Sequence, residues 1–345
     1  MSPVTVPFVD TNPSLESCWR AIILLGKNTA CYKFALAQAL LEVNRQNTKI
    51  DLETIALPYA KHIANHLKSN PKQITRNSST FLSNCKQFNN GEITETKLTE
   101  KTMRYGFVNV LDAFHNVAGS TTEKLFFDKQ NWNKEKKITL TDEFYHLMNS
   151  NQKINFAEEI NSRWALWETA ISLNVPTNVL VGNEVHNDEH SLTVSQGNFR
   201  RKNVTSTKTA LNGYQKGKCF YCSSNLVLAS KSPNMNCHVD HFVPWKLSDQ
   251  FIPHNIDLNG IWNLVLACSE CNEPREKWHQ LPSLTYLEKL YIRNNFYVES
   301  HHPLKQTILS QKGNEHRFLQ KVWDVARNTG TPIWKPHENQ QSIGL

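Results

Sequence analysis

The chain has 345 residues, of which 39% are hydrophobic and 20% charged, and carries a formal net charge of +7. Those values describe an ordinary globular protein, longer than one hydrophobic core usually supports, so two domains are expected. No apolar run approaches the roughly 20 residues that cross a bilayer, and the first residues lack the basic-then-apolar order of a signal peptide. Membrane and secreted disulfide-scaffold classes are thereby excluded and a cytoplasmic location is expected, where the eight cysteines stay reduced and paired ones read as metal ligands.

Residues 15–46 are rich in helix formers with apolar residues three and four apart, and Gly26-Lys27-Asn28 separates two helices. Asp51 to Leu67 repeats the pattern behind an Asp51 cap. Residues 69–79 are polar, contain Pro71 and read as a loop. Helical patterns return at Thr99–Val117, Thr141–Met148 and Ala157–Leu173, and the polar stretch Gly182 to Gln196 reads as an interdomain connection. After it come a short helix (Ser206–Tyr214), strand-like segments at Asn225–Ala229 and His238–Trp245, a loop with Pro253, a run from Ile261 to Ala267, and bracing helices at Ser283–Asn294 and Phe318–Arg327. The expected division is a helical domain over 1–182, a connection over 183–205, a separate module over 206–300 and a helical extension over 301–345. The fold class is mainly α. No fixed-period repeat is present, which argues against a solenoid.

Charge is unevenly placed. Residues 1–200 hold 21 Lys/Arg and 20 Asp/Glu, whereas residues 201–345 hold 17 and 11. Between His190 and Val239 there is no carboxylate, while Arg200, Arg201, Lys202, Lys208, Lys216, Lys218 and Lys231 all fall there. Such a stretch attracts a polyanion, although a solvated basic face would read the same way.

Cys219-x-x-Cys222 and Cys268-x-x-Cys271 are two pairs with the spacing that lets four thiolates grip one tetrahedral ion. A closed four-thiolate site has no open coordination position, so a Zn2+ there holds the fold and does no chemistry. The 45 residues between the pairs exceed what a simple zinc ribbon needs. They contain His238-Val239-Asp240-His241-Phe242-Val243-Pro244-Trp245 and Asn263, and Asn272 follows the last cysteine.

This arrangement, from Lys218 to Lys277, resembles the HNH endonuclease family in the variant where an Asp-His pair opens the motif and a zinc knuckle staples it. The resemblance implies a ββα-metal fold around one catalytic cation and hydrolysis of DNA phosphodiester bonds. It assigns His241 as general base, Asp240 and Asn272 as ligands of the catalytic metal, and Asn263 as the residue that orients the hairpin loop. A neutral imidazole accepts a proton near pH 7, and two oxygen donors suit Mg2+ or Mn2+. Many family members carry His where this chain has Asn272, and the harder amide oxygen favours Mg2+. Asp240 and His241 point to opposite faces of an extended strand, so the backbone must bend for both to serve one site. His238, sharing the face of Asp240, together with Arg275 and Lys277 beyond Asn272 and the basic run Arg200, Arg201 and Lys202, are the candidate DNA contacts. Asp257 and His279 have no motif position, and Cys237 reads as a packed thiol.

His62 and His66, four apart on a helix, lack the Glu of a zinc-protease motif and read as surface residues, as do His186 and His190. Trp19, Trp164 and Trp167 read as core. HNH modules on otherwise unfamiliar helical domains resemble restriction or anti-phage defence effectors. Two other readings stand beside the nuclease: a catalytically silent zinc-stapled DNA-binding module, and a nuclease that fires only when a protein partner or signal engages the N-terminal domain. Double-strand cleavage from one-metal sites would call for a homodimer.

Overall fold

A computed structural model describes residues 13–25, 28–76, 78–117, 120–172, 182–186, 189–196, 200–228, 236–254, 256–272, 279–299 and 305–334. The fold is mainly helical. The chain divides into two compact units, Pro13–Thr177 and Asn178–Leu345, the second grouped with Met1–Asn12.

The N-terminal unit contains α1 (Leu15–Arg20), α2 (Tyr32–Glu42), β1 (Lys49–Asp51), α3 (Leu52–Ser69), α4 (Thr80–Asn89), α5 (Glu95–Tyr105), β2 (Phe127–Asp128), β3 (Lys137–Leu140), α6 (Asp142–Asn149) and α7 (Lys153–Ser172). Hydroxyl caps start four of these helices: Ser14, Ser79, Thr94 and Thr141 each accept a backbone N–H from the first turn, satisfying groups that the helix itself leaves unpaired. The expected Asp51 cap does not form. Asp51 ends β1, opposite Lys137 in the antiparallel β1–β3 ladder, and its carboxylate pairs with Lys137 at 3.2 Å. Helix α4 has no counterpart among the expected helices, because its polar residues obscure the apolar spacing of Phe81, Leu82 and Cys85, which it buries along with Asn84.

Trp19, Trp164 and Trp167 are core, as their apolar neighbours predict. Trp19 packs edge-on to Phe126 at 5.3 Å and Phe34 stacks on Trp164 at 5.8 Å. A buried bidentate pair joins Arg20 of α1 to Glu159 of α7, both bonds at 2.8 Å. His66 departs from the surface reading: it stacks on Trp164 at 3.5 Å and bonds the buried Glu168 at 2.8 Å, while His62 bonds Glu42. The two histidines therefore serve separate carboxylates and share no site.

In the second unit the stretch read as a connection is folded. β4 (Gly182–His186), β5 (Glu189–Gln196) and β6 (Arg200–Ser206) make an antiparallel sheet in the order β4-β5-β6. Its polar sequence hid it, since a ladder pairs backbone groups whatever the side chains are. Helix α8 (Thr207–Asn212) follows, then β7 (Cys237–His241), β8 (Leu264–Cys268), α9 (Ser269–Asn272), β9 (Leu281–Pro282), α10 (Leu284–Glu299), α11 (Lys305–Ser310), α12 (His316–Asn328) and β10 (Ile333–Trp334). Of the expected strand at Asn225–Ala229, whose last residue lies outside the described ones, the described part makes one bridge, Lys218 to Asn225, because Asn236 takes the next backbone groups: its Oδ1 accepts from Val227 N at 2.8 Å. Helix α10 buries Leu287, Leu290, Arg293, Asn294 and Tyr297.

Candidate active site and metal centre

The hairpin is set by register. β7 and β8 pair antiparallel with His241 opposite Leu264, Asp240 opposite Val265 and Cys237 opposite Cys268. Helix α9 leaves β8 without a linker and packs against both strands. The strand expected to run to Trp245 stops at His241. Beyond it the backbone of Val243 is captured by a side chain: Val243 N donates to Asn263 Oδ1 at 2.8 Å, and Asn263 Nδ2 donates to Val243 O at 3.1 Å and Leu258 O at 2.8 Å. Asn263 is wholly buried. It thus fixes both the exit from β7 and the loop that returns to β8.

That loop presents the partner of His241. His241 Nε2 donates to Asn259 Oδ1 at 3.0 Å, and Asn259 is held in its turn by the bond from its own N–H to Asp257 Oδ1 at 2.8 Å. Gly260 follows, where a Cβ would lie 2.4 Å from Trp262 Nε1, so no larger residue lets the turn close. Since an amide oxygen only accepts, the imidazole proton sits on Nε2 and the basic lone pair on Nδ1. Burial pushes the His241 pKa down, outweighing the opposite pull of the Asn259 bond and of the Asp240 and Asp257 carboxylates. Trp245, 48% exposed, lies beside this ring at 5.7 Å.

Asp240 is oriented from the cysteine knuckle. Tyr221, inside Cys219-x-x-Cys222, donates its hydroxyl to Asp240 Oδ2 at 2.6 Å. Burial first, then the carboxylate, raise the phenol pKa well above its usual range, so the donor stays protonated. Asn272 closes α9, half-buried. His238 bonds Ser269 Oγ at the start of that helix at 3.1 Å.

The four cysteines converge. The sulfurs of Cys219, Cys222, Cys268 and Cys271 lie within 4.8 Å of one another, with Cys222 and Cys268 3.6 Å apart. A tetrahedral zinc with bonds of about 2.3 Å requires sulfur separations of about 3.8 Å, whereas a disulfide would bring two to about 2.05 Å. The cluster fits zinc. Cys268 N–H points at Cys219 Sγ at 3.4 Å, Cys219 N donates to Ser224 O at 2.8 Å, and Ser223 takes a left-handed φ of 62° to close the turn. Buried Gln215 stitches the first knuckle to the edge of β8: its Nε2 donates to Lys218 O and Leu266 O at 3.1 Å, and its Oε1 accepts from Leu266 N at 2.9 Å. Burial lowers the Lys289 pKa, while the nearby thiolates favour its charge. Cys237 stays outside the cluster, buried, its thiol pushed up to about 12 by that burial.

One further brace comes from outside the motif. Arg293 of α10, fully buried, donates to the carbonyls of Leu264, Ile261 and Trp262, and Asn294 Nδ2 donates to Trp262 O at 3.2 Å. These carbonyls flank Asn263. Of the expected site residues, Asp240, His241 and Asn263 come together around the hairpin and Asn272 ends the helix that packs on it. Arg200, Arg201 and Lys202 lie on β6, and Arg275 and Lys277 fall outside the described residues. Sequence reasoning passed over Tyr221, Asn259 and Arg293. The Asp257-x-Asn259-Gly260 turn was a readable signal for the second, but nothing in the spacing marked the third.

A two-stranded hairpin followed directly by a short helix, with four thiolates at its base, fits a ββα module. Residues 219–277 match the family model described as HNH endonuclease, and this stretch, about a sixth of the chain, is an HNH endonuclease domain. Such a domain supports a nuclease of the HNH family and implies nucleic-acid binding. Neither curated proteins nor solved structures give a match to the chain. Among the described residues no helix is long and apolar enough to cross a membrane.

Proposed function

We propose that the protein is a metal-dependent endonuclease that hydrolyses DNA phosphodiester bonds at the mouth of the β7–β8 hairpin. The observation that carries this reading is the Nε2 bond from His241 to Asn259 within an HNH domain, because it leaves the other ring nitrogen as the base. His241 is the general base. Water loses a proton to Nδ1 as its oxygen bonds to phosphorus, the bond from phosphorus to the leaving oxygen breaks with its electron pair, and solvent supplies that oxygen's proton. Asp240 and Asn272 are the oxygen donors suited to Mg2+ or Mn2+. A divalent cation held there would offset charge on the phosphate and on the leaving oxygen.

Asn263 and Tyr221 act by positioning His241 and Asp240. Arg275, Lys277, His238, Arg200, Arg201 and Lys202 are the proposed DNA contacts, and the four-cysteine site holds a structural Zn2+. The helical unit then supplies target preference or activation, through a protein partner or a homodimer, in the manner of a cytoplasmic restriction or anti-phage defence effector. Replacing His241 with Ala tests the chemistry: plasmid cleavage with Mg2+ or Mn2+ should fall by about 10²- to 10⁴-fold with DNA affinity and thermal midpoint nearly unchanged. Full turnover in that variant removes the mechanism.

A further inference from the structure

The N-terminal unit carries a groove of about 600 Å3 between the loop at 71–79 and α4. Lys72, Arg76 and Lys86 line it together with the hydroxyls of Ser78 and Ser83, and among the described residues no carboxylate does. Lys61, Lys97, Lys129 and Lys137 are paired with Glu95, Glu100, Asp112 and Asp51 at 2.6, 2.6, 2.8 and 3.2 Å. Among the described residues Arg76 and Lys86 make no ion pair.

The ledge that holds them is fixed. Gln73 is fully buried, where its Nε2 donates to Glu168 and its Oε1 accepts from Trp164 Nε1 at 2.9 Å. Two residues on, Thr75 donates both N–H and Oγ1–H to Thr29 O at 2.9 and 3.1 Å. Arg76 and Lys86 put like charges on one groove, and an anion seated between them removes their repulsion. Cations beside hydroxyl donors match phosphate oxygens. Arg76, Ser78, Ser83 and Lys86 are all exposed, so the ligand lies across the groove and is not enclosed by it.

We propose that this groove binds the phosphodiester backbone of a nucleic acid, at a place outside the HNH domain. The proposal deepens the nuclease reading, and because binding tests it without cleavage, the two can fail separately. The full chain carrying His241→Ala is titrated with a labelled DNA duplex, without Mg2+, over about 50 to 200 mM salt. Adding Lys72→Gln, Arg76→Gln and Lys86→Gln should flatten the plot of log affinity against log salt by about 2.7, and Arg76→Gln with Lys86→Gln alone by about 1.8, at about 0.9 per lost phosphate contact. The charge-keeping pair Lys72→Arg and Lys86→Arg should leave the slope in place, and circular dichroism should be the same throughout. A slope unchanged by the triple replacement overturns the proposal. Should ATP or inorganic phosphate raise the thermal midpoint of the unmodified groove but not of the triple variant, with equal duplex slopes, the backbone assignment is overturned and the site is one for small phosphate ligands.

Discussion

Replacing Asn263 separates a positioning role from a surface one. Its side chain makes three hydrogen bonds to the backbone of Val243 and Leu258, all buried. Each is worth about 1 kcal/mol net, and a buried group left unpaired costs about 1–3 kcal/mol. Asn263→Ala orphans one N–H and two carbonyls, so a loss of about 3–5 kcal/mol is expected, which is a large share of a domain's usual stability of about 5–15 kcal/mol. Asn263→Asp should be at least as damaging, because an oxygen then faces the two carbonyls that the amide served. Urea unfolding read by tryptophan fluorescence gives the number: with a slope near 2 kcal/mol per molar, the midpoint of the second unit falls by about 1.5–2.5 M. In conditions where the variant stays folded, cleavage should drop with little change in DNA affinity, since Val243 fixes the exit that carries His241. A midpoint shift below about 0.5 M for Asn263→Ala refutes the reasoning, as would an Asp variant as stable as the parent.

Cys219→Ser or Cys268→Ser should release zinc, measured by a chromogenic chelator, and unfold the HNH domain, because metal binding and folding of such a site are one equilibrium; a folded, zinc-free and active variant contradicts the staple. Tyr221→Phe removes the hydroxyl that donates to Asp240 Oδ2 without changing shape, and Mn2+ affinity should fall about 10- to 100-fold while the zinc content and thermal midpoint hold. His115 is buried, accepts from Phe126 N at 3.0 Å, and has its pKa lowered from 6.5 to about 4 by burial. Between those two values the unfolded chain takes a proton that the folded one refuses. Stability of the N-terminal unit is therefore complete above pH 6.5 and falls by about 3 kcal/mol as pH approaches 4. Calorimetry of the parent and His115→Gln checks it: the variant should lose that part of the acid sensitivity, and identical pH profiles would show that His115 does not carry it.

Chemistry was legible in the sequence where spacing alone constrains it. Two thiolates three apart can grip one ion in any fold, so the four-cysteine cluster followed from spacing along the chain, whereas Asp240, His241, Asn263 and Asn272 were read as a motif from their resemblance to the HNH family. The same holds for long amphipathic helices such as α3, whose apolar period announces the buried face. What only the tertiary structure decided are contacts between segments far apart in sequence. Tyr221 reaches Asp240 across 19 positions, Asn259 reaches His241 across 18, and Arg293 grips the carbonyl of Ile261 across 32. No local period encodes these, because a hydrogen bond depends on where the backbone returns, and that is set by packing of the whole unit. The strands β4 to β6 were hidden for a related reason: a ladder satisfies backbone groups whatever the side chains are, so a polar stretch can pair without any apolar signature.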